Sequence, residues 1–201
     1  MRGLVIGPNF ALGRGREGNV AVLESLGREL GFTVEVVKPL MVEGSQVSST
    51  AVREALARGD MKTTANLLGR YFSLRGPVGG GAERGHVLGF PTANMQFDHE
   101  QAMPEDGVYA TLAHIGDEIY QSVTNIGVKP TFGKGERTVE VYILGFSEDL
   151  YGQKLTIELV ERLRAEMKFA GPAELSAQIK KDVEQAKTIL KKPSAGAKHV
   201  G

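Results

Sequence analysis

The stretch from residue 76 to residue 94 combines glycines with residues that can bind phosphate or a metal ion. Its sequence is GPVGGGAERGHVLGFPTAN. Glycine lets a backbone pass close to a phosphate, and consecutive N–H groups can bind an anion. Thr92 and Asn94 lie two residues apart, so in an extended chain a hydroxyl and an amide oxygen project to the same side. A Mg²⁺ ion held mainly by phosphates needs only one or two such oxygens. The alternative is a plain glycine-rich loop.

A second candidate is the carboxylate of Glu140, in the alternating sequence TVEVYIL over residues 138–144. One face of this predicted strand is apolar and would enter a core: Val139, Val141 and Ile143. The other face carries Glu140 with Tyr142 and Leu144. A lone carboxylate in a half-apolar surrounding suits a general base, and the alternative is a solvated charge on an open sheet face.

A third candidate is the sequence RLRAEMKF over residues 162–169. Mixed charges next to Met167 and Phe169 could hold a planar ligand by stacking and hydrogen bonds. The alternative is a solvated turn before the last helix, which the pattern predicts from Pro172 onward.

The elements that position these residues fall into two regions. Residues 1–70 alternate strands, at 4–6 and 32–37, with a helix at 20–30 and two short helices that end at 57 and 68. From residue 71, short β-rich runs separated by Gly, Pro and Asn turns predict a small antiparallel barrel or sandwich. Two of these runs, 107–113 and 119–123, are predicted to pair as a hairpin across the turn at Gly116 and Asp117.

Composition limits the classes of partner. Lys and Arg together number 24, as do Asp and Glu, and this zero net charge argues against a nucleic-acid partner or an anionic membrane. The absence of cysteine excludes disulfides and thiolate sites. No apolar run reaches the ~18 residues of a membrane span, and the N-terminal apolar run is too short for a secretory signal. We therefore expect a cytoplasmic protein.

Four runs, taken in chain order, closely resemble the riboflavin kinase family. They are LGFPTAN at 88–94, NIGVKPTF at 125–132, VEVYIL at 139–144 followed by DLYG at 149–152, and RLRAEMKF at 162–169. The resemblance covers about residues 71–190. It implies an α+β fold, a six-stranded antiparallel Greek-key-like β-barrel with a C-terminal helix. It also implies transfer of the γ-phosphate of ATP to riboflavin, giving ADP and FMN, with Mg²⁺ as the cofactor.

The resemblance implies roles for individual residues. Glu140 would accept the proton of the riboflavin 5′-hydroxyl, and Thr92 and Asn94 would bind Mg²⁺ and the ATP phosphates. The further ATP contacts would be Gly80, His86, Ile143 and Tyr151. The isoalloxazine ring would be held by Arg164, Met167 and Phe169. His86 departs from the family pattern, which often has Arg or Lys there.

Residues 3–70 resemble the end of the adenylyltransferase domain that precedes this kinase in bacterial bifunctional riboflavin kinase/FAD synthetases. The matching runs are LVIGPNF at 4–10 and VSSTAVR at 47–53, with Asn9 where the family usually has Asp. The His-x-Gly-His motif of that domain has no counterpart. The histidines of the chain are His86, His99, His114 and His199.

We therefore expect three regions: a Rossmann-like nucleotidyltransferase remnant at 1–70 without FAD synthetase activity, a riboflavin kinase domain at 71–190 and a disordered tail at 191–201. Two alternatives stay open. The chain could be a fragment of a bifunctional enzyme, or a non-catalytic barrel that binds flavin.

Overall fold

The computed structural model describes residues 1–80, 89–98, 100–129 and 136–191, with residues 129 and 136 described by their backbone only. The predicted tail therefore lies outside the described residues, apart from Lys191. Two compact units make up the chain, Met1–Val47 and Ser48–Gly201. No helix in the described part of the chain is long and apolar enough to cross a membrane.

The first unit contains the predicted β-α-β arrangement. Its elements are β1 (Gly3–Ile6), β2 (Ala11–Leu12), β3 (Gly18–Asn19), α1 (Val20–Leu30), β4 (Thr33–Val36), β5 (Met41–Val42) and β6 (Ser45–Gln46). Strands β1 and β4 pair in parallel. Helix α1 begins at Asn19, whose side chain accepts a hydrogen bond from the backbone of Val22, and ends at Gly31 with φ of +73°. Glycine adopts this left-handed conformation without the steric cost that other residues meet, so the predicted helix end is confirmed.

The second unit begins with two helices, α2 (Ser49–Ala57) and α3 (Met61–Leu68). The side chains of Ser48 and Asp60 cap them by accepting backbone hydrogen bonds at 3.1 and 3.0 Å. Both helices follow the sequence prediction.

Six strands then form a closed barrel, in which every neighbouring pair is antiparallel. The strands are β7 (Phe72–Gly79), β8 (Ala93–Met95), β9 (Gly107–Ile115), β10 (Glu118–Lys129), β11 (Glu136–Ile143) and β12 (Lys154–Arg164). Their order around the barrel is β10-β11-β8-β7-β12-β9, so several neighbours are not consecutive, as in Greek-key folds. The predicted six-stranded barrel is confirmed, as is the hairpin that joins β9 to β10 through Gly116 and Asp117.

Apolar side chains fill the barrel interior. Strand residues that are fully buried there include Leu74, Tyr109, Ile126, Leu155, Ile157 and Leu159. The last helix, α4 (Pro172–Leu190), packs Val183 and Ala186 against the outer side of β9 and β10, where Val108, Ala110 and Val123 lie. Strand β9 is therefore buried on both faces. The predicted apolar stripe of this helix has the barrel wall as its partner.

Helices α2 and α3 pack on the barrel and belong to the same compact unit. Leu56 and Met61 join the cluster of side chains that fills the barrel interior. The backbone N–H of Glu105 also donates to the carbonyl of Leu56 at 3.0 Å. The compact units thus divide after residue 47. The division at residue 70, which follows the two family resemblances, stays a prediction. Helical spacing alone does not say which neighbour receives an apolar face.

Replacement of Leu56, which is 1% exposed, tests the place of α2 in the barrel core. We expect Leu56→Ala to reduce the free energy of unfolding by about 2–5 kcal/mol, because it leaves a cavity in a packed core. Arg53→Ala, on the exposed side of the same helix, should stay within about 0.5 kcal/mol of the parent. Urea unfolding followed by circular dichroism measures both. Equal midpoints for the two variants would show that α2 is not part of the core.

Candidate active site

One row of paired residues runs around the barrel from strand to strand and contains several candidate residues. Asn94 of β8 is paired with Glu140 of β11, and Glu140 is paired with Asn125 of β10. Side chains of directly opposed residues have Cβ atoms about 4.5–5.5 Å apart. The three polar side chains therefore lie side by side. The row extends through Gly79 in one direction and through Val108 and Arg164 in the other.

Glu140 lies on the outer face of the barrel. Its neighbours in β11, Val139 and Val141, are buried in the interior cluster, and alternate residues of a strand point to opposite faces. Glu140 is half-buried. Tyr142, two residues further along the same face, contacts Phe90 edge-on with ring centroids 5.3 Å apart. The carboxylate thus lies in the half-apolar surrounding that the sequence pattern indicates.

The residues predicted to bind ATP occupy different places in the barrel. Asn94 and Thr92 are both half-buried, the first in β8 and the second just before it. Gly80 follows β7 immediately, and a Cβ atom built on it would lie 3.8 Å from Cε2 of Tyr151, which is 70% exposed. Gly80 and Tyr151 are therefore neighbours near the end of the row at Gly79.

Two of the predicted ATP contacts, Ile143 and His86, are not seen at the outer face of the barrel. Ile143 is 5% exposed and belongs to the interior cluster of the barrel. Its contact with adenosine stays a prediction. His86 lies outside the described residues.

The segment predicted to hold the flavin is fixed to helix α4 by a forked ion pair. Nε of Arg164 donates to both carboxylate oxygens of Asp182 at 3.0 Å, and Nη2 donates to Oδ2 at 2.8 Å. Asp182 is 3% exposed and accepts a further hydrogen bond from Gln178 at 2.8 Å. The guanidinium carbon of Arg164 lies 5.7 Å from the ring centroid of Phe169. Such a forked, buried pair holds the guanidinium in one orientation.

The other two flavin candidates follow this anchor. Phe169 is half-buried, whereas Met167 is exposed. An exposed, adaptable thioether beside a ring and a fixed guanidinium is a surface that can receive a planar ligand.

Two arginines fix the loop that precedes β9. Arg137 forms an ion pair with Asp106. Arg162 forms an ion pair with Glu105 at 2.8 Å and donates to the backbone carbonyl of Asp106 at 2.6 Å. Gly107 follows with φ of +157°, and a Cβ atom there would lie 2.5 Å from a backbone oxygen of β12. These contacts hold the carboxylate of Asp106 close to the segment that carries the flavin candidates.

Glu166 is a residue that the sequence prediction left without a role. Its carboxylate lies directly over Gly127 of β10, where a Cβ atom would be only 1.8 Å from Oε1. Partial burial and the nearby charge of Asp106 raise its pKa, against the opposing effect of a hydrogen bond from Asn125. Because residue 127 is glycine, the carboxylate of Glu166 can approach β10 here, close to Asn125.

Comparison with known proteins assigns the chain to a family. The family model for riboflavin kinase matches residues 68–190. The chain belongs to the riboflavin kinase family. A second family model, for FAD synthetase, matches residues 1–51. Both resemblances that the sequence indicated are thereby confirmed.

Curated relatives cover nearly all of this chain. A bifunctional riboflavin kinase/FMN adenylyltransferase of Haemophilus influenzae is 40% identical over 93% of this chain and 61% of its own length. The Escherichia coli K12 protein of the same description is 38% identical over 95% of this chain and 62% of its own length. The chain thus spans less than two thirds of the length of these relatives.

A solved structure supports the fold. A Streptococcus pneumoniae protein described as a macrolide-efflux protein superposes with a TM-score of 0.81 at 31% identity. The match covers 91% of this chain and 60% of that one. The similarity extends over the family's barrel and the residues that precede it.

Removal of Asp182 tests the anchor of the flavin segment. We expect Asp182→Ala to reduce the free energy of unfolding by about 3 kcal/mol, because it leaves the half-buried Arg164 guanidinium without its counter-ion. Glu184→Ala, on the exposed side of the same helix, should leave the unfolding midpoint nearly unchanged. Thermal unfolding of the two variants checks this, and similar midpoints would show that the pair does not hold the helix.

Proposed function

We propose that this chain transfers the γ-phosphate of ATP to the 5′-hydroxyl of riboflavin and releases FMN and ADP. The observation that carries the proposal is the pairing of Asn94 with Glu140 and of Glu140 with Asn125 on the outer face of the barrel. In a member of the riboflavin kinase family, this pairing puts a carboxylate next to a residue that can hold nucleotide phosphates. The chain spans only part of its bifunctional relatives, so the proposal covers the kinase reaction alone.

Glu140 is the proposed general base. A general base must come within hydrogen-bonding reach of the proton that it accepts. Glu140 is half-buried and lies on the outer face, where a substrate can approach, on the same face as Tyr142, which contacts Phe90. It would accept the proton of the 5′-hydroxyl while that oxygen attacks the γ-phosphorus.

The oxygen donors of Thr92 and Asn94 fit a Mg²⁺ ion that is bound mainly by ATP. They offer one hydroxyl and one amide oxygen, both hard ligands, from half-buried positions at the start of β8. Among the described residues no cluster of three or more acidic or histidine side chains forms a metal cage. When bound, the ion would neutralise charge on the phosphates, and the two side chains would hold the phosphates beside Glu140.

The flavin ring would lie against Arg164, Met167 and Phe169. The ion pair with Asp182 fixes Arg164 before the ligand arrives, so less rotational freedom is lost on binding. Arg164 ends β12, three strands away from β11, but the segment that follows it returns to β10, where Glu166 contacts Gly127 next to the strand of the base. Phosphoryl transfer depends mainly on such positioning, since little covalent chemistry is left to the protein.

Replacement of Glu140 tests the proposed reaction. We expect Glu140→Gln to lower kcat for FMN formation about 10²–10⁴-fold, because glutamine keeps the shape of the side chain but cannot accept the proton. Riboflavin and ATP should bind nearly as well as to the parent. Steady-state kinetics, with riboflavin binding followed by flavin fluorescence, separates turnover from binding.

Two further variants serve as a comparison and a control for Glu140→Gln. Thr92→Ala should weaken nucleotide and Mg²⁺ binding as well as turnover. Glu100→Gln, an exposed carboxylate of the same unit, should leave both unchanged. Turnover of Glu140→Gln within about threefold of the parent, about 0.65 kcal/mol on the barrier, would show that Glu140 is not the base. A parent that binds riboflavin but forms no FMN would support the non-catalytic barrel instead.

A further inference from the structure

Asn125 occupies a position next to the proposed base. It is paired directly with Glu140 across β10 and β11, and it is half-buried on the same outer face. Asparagine is depleted in strands because its amide fits poorly into a pleated, half-buried surface. We therefore expect the amide of Asn125, within β10, to take part in an interaction.

Glu166 provides that interaction from the flavin segment. A Cβ atom built on Gly127 would overlap both Oε1 of Glu166 and its Cδ, which would lie 2.4 Å away. Gly127 lies two residues beyond Asn125, on the same face and about 6.6–6.8 Å further along the strand. The carboxylate of Glu166 therefore lies against β10 on the face that carries Asn125, within reach of its amide.

The chemistry of the two side chains determines how the amide must be oriented. An ionised carboxylate only accepts hydrogen bonds, so Asn125 must present its NH₂ group to Glu166. That group carries two N–H donors, and one of them is left for a second acceptor. The residue paired with Asn125 across β11 is Glu140, which is also a carboxylate.

We infer that Asn125 and Glu166 are positioning residues for Glu140: Glu166 holds the amide of Asn125, which donates its second N–H to the carboxylate of Glu140. This inference rests on the proposed kinase function. A donor held in one place fixes the orientation of the carboxylate that accepts its hydrogen bond. Loss of such orientation lowers the rate of a reaction even when both substrates still bind.

Four variants test the arrangement in the full chain. Asn125→Ala removes the bridge, Glu166→Ala removes its anchor, and Gly127→Ala displaces the anchor with one methyl group. Glu166→Gln keeps an oxygen acceptor for the amide but removes the charge. Gly171→Ala is the matched control for the glycine change, because a Cβ atom there meets nothing within 4 Å and its φ is −172°.

The inference predicts a specific pattern in the kinetics of FMN formation. Asn125→Ala, Glu166→Ala and Gly127→Ala should each lower kcat about 10–100-fold, with KM for riboflavin within about threefold of the parent. Glu166→Gln should be at least about tenfold more active than Glu166→Ala. The double variant Asn125→Ala/Glu166→Ala should be no slower than the slower single variant, because both changes break the same chain of contacts. Gly171→Ala should match the parent.

Three outcomes would overturn the inference. The first is a kcat within threefold of the parent for Asn125→Ala, or for Glu166→Ala and Gly127→Ala if Asn125→Ala does not fold. The second is a loss confined to KM for riboflavin, which would make Glu166 a flavin contact. The third is additivity in the double variant.

The side-chain amide signal of Asn125 in NMR spectra separates this inference from the proposed function. We expect Glu166→Ala to shift that signal, and Glu140→Gln to shift it as well. A parent without FMN formation would refute the proposed function and, with it, the inference. A parent that forms FMN while the Asn125 signal ignores both variants would refute the inference alone.

Discussion

The register of β8, β11 and β10 is the constraint on which the rest of the site depends. It pairs Asn94 with Glu140 and Glu140 with Asn125, and it is maintained by backbone hydrogen bonds around a closed barrel. A slip of one residue would turn every side chain of β11 to the other face. Glu140 would then enter the core in place of Val139 and Val141, and a carboxylate without a partner there costs several kcal/mol. The apolar packing of the interior thus selects the register that presents the base.

Helix α4 extends this arrangement to the flavin segment. Its apolar face covers the outer side of β9 and β10, and its one deeply buried carboxylate among the described residues, Asp182, holds Arg164. The same helix therefore stabilises the barrel wall and anchors the end of β12. Loosening either contact should disturb both, because they involve adjacent residues of one helix, Asp182 and Val183.

The local patterns of the sequence predict much of this structure. The alternation around Glu140 predicts its face, Gly116 and Asp117 predict a hairpin, and Pro172 predicts the start of the last helix. Each of these features depends on residues that are close in sequence, so periodicity and turn chemistry are sufficient.

Contacts between distant parts of the chain could not be predicted in this way. The pairing of Asn125 with Glu140 depends on barrel register, and the approach of Glu166 to Gly127 depends on the course of the chain after β12. Asp182 had a weak signal, as an acidic residue within the apolar stripe of a helix. The packing of α2 on the barrel, which puts the division between compact units after residue 47, could not be predicted because an apolar helix face does not identify the element that it contacts.

The most direct test of the whole account is the product that this chain forms. Incubation with riboflavin, ATP and Mg²⁺, followed by chromatography of the flavins, should show FMN accumulating in step with ADP. No FAD should appear, because the chain lacks a His-x-Gly-His motif. Absence of FMN from a folded chain would contradict the proposed kinase reaction. FAD formed at a rate comparable to FMN would contradict the expectation that residues 1–70 lack synthetase activity.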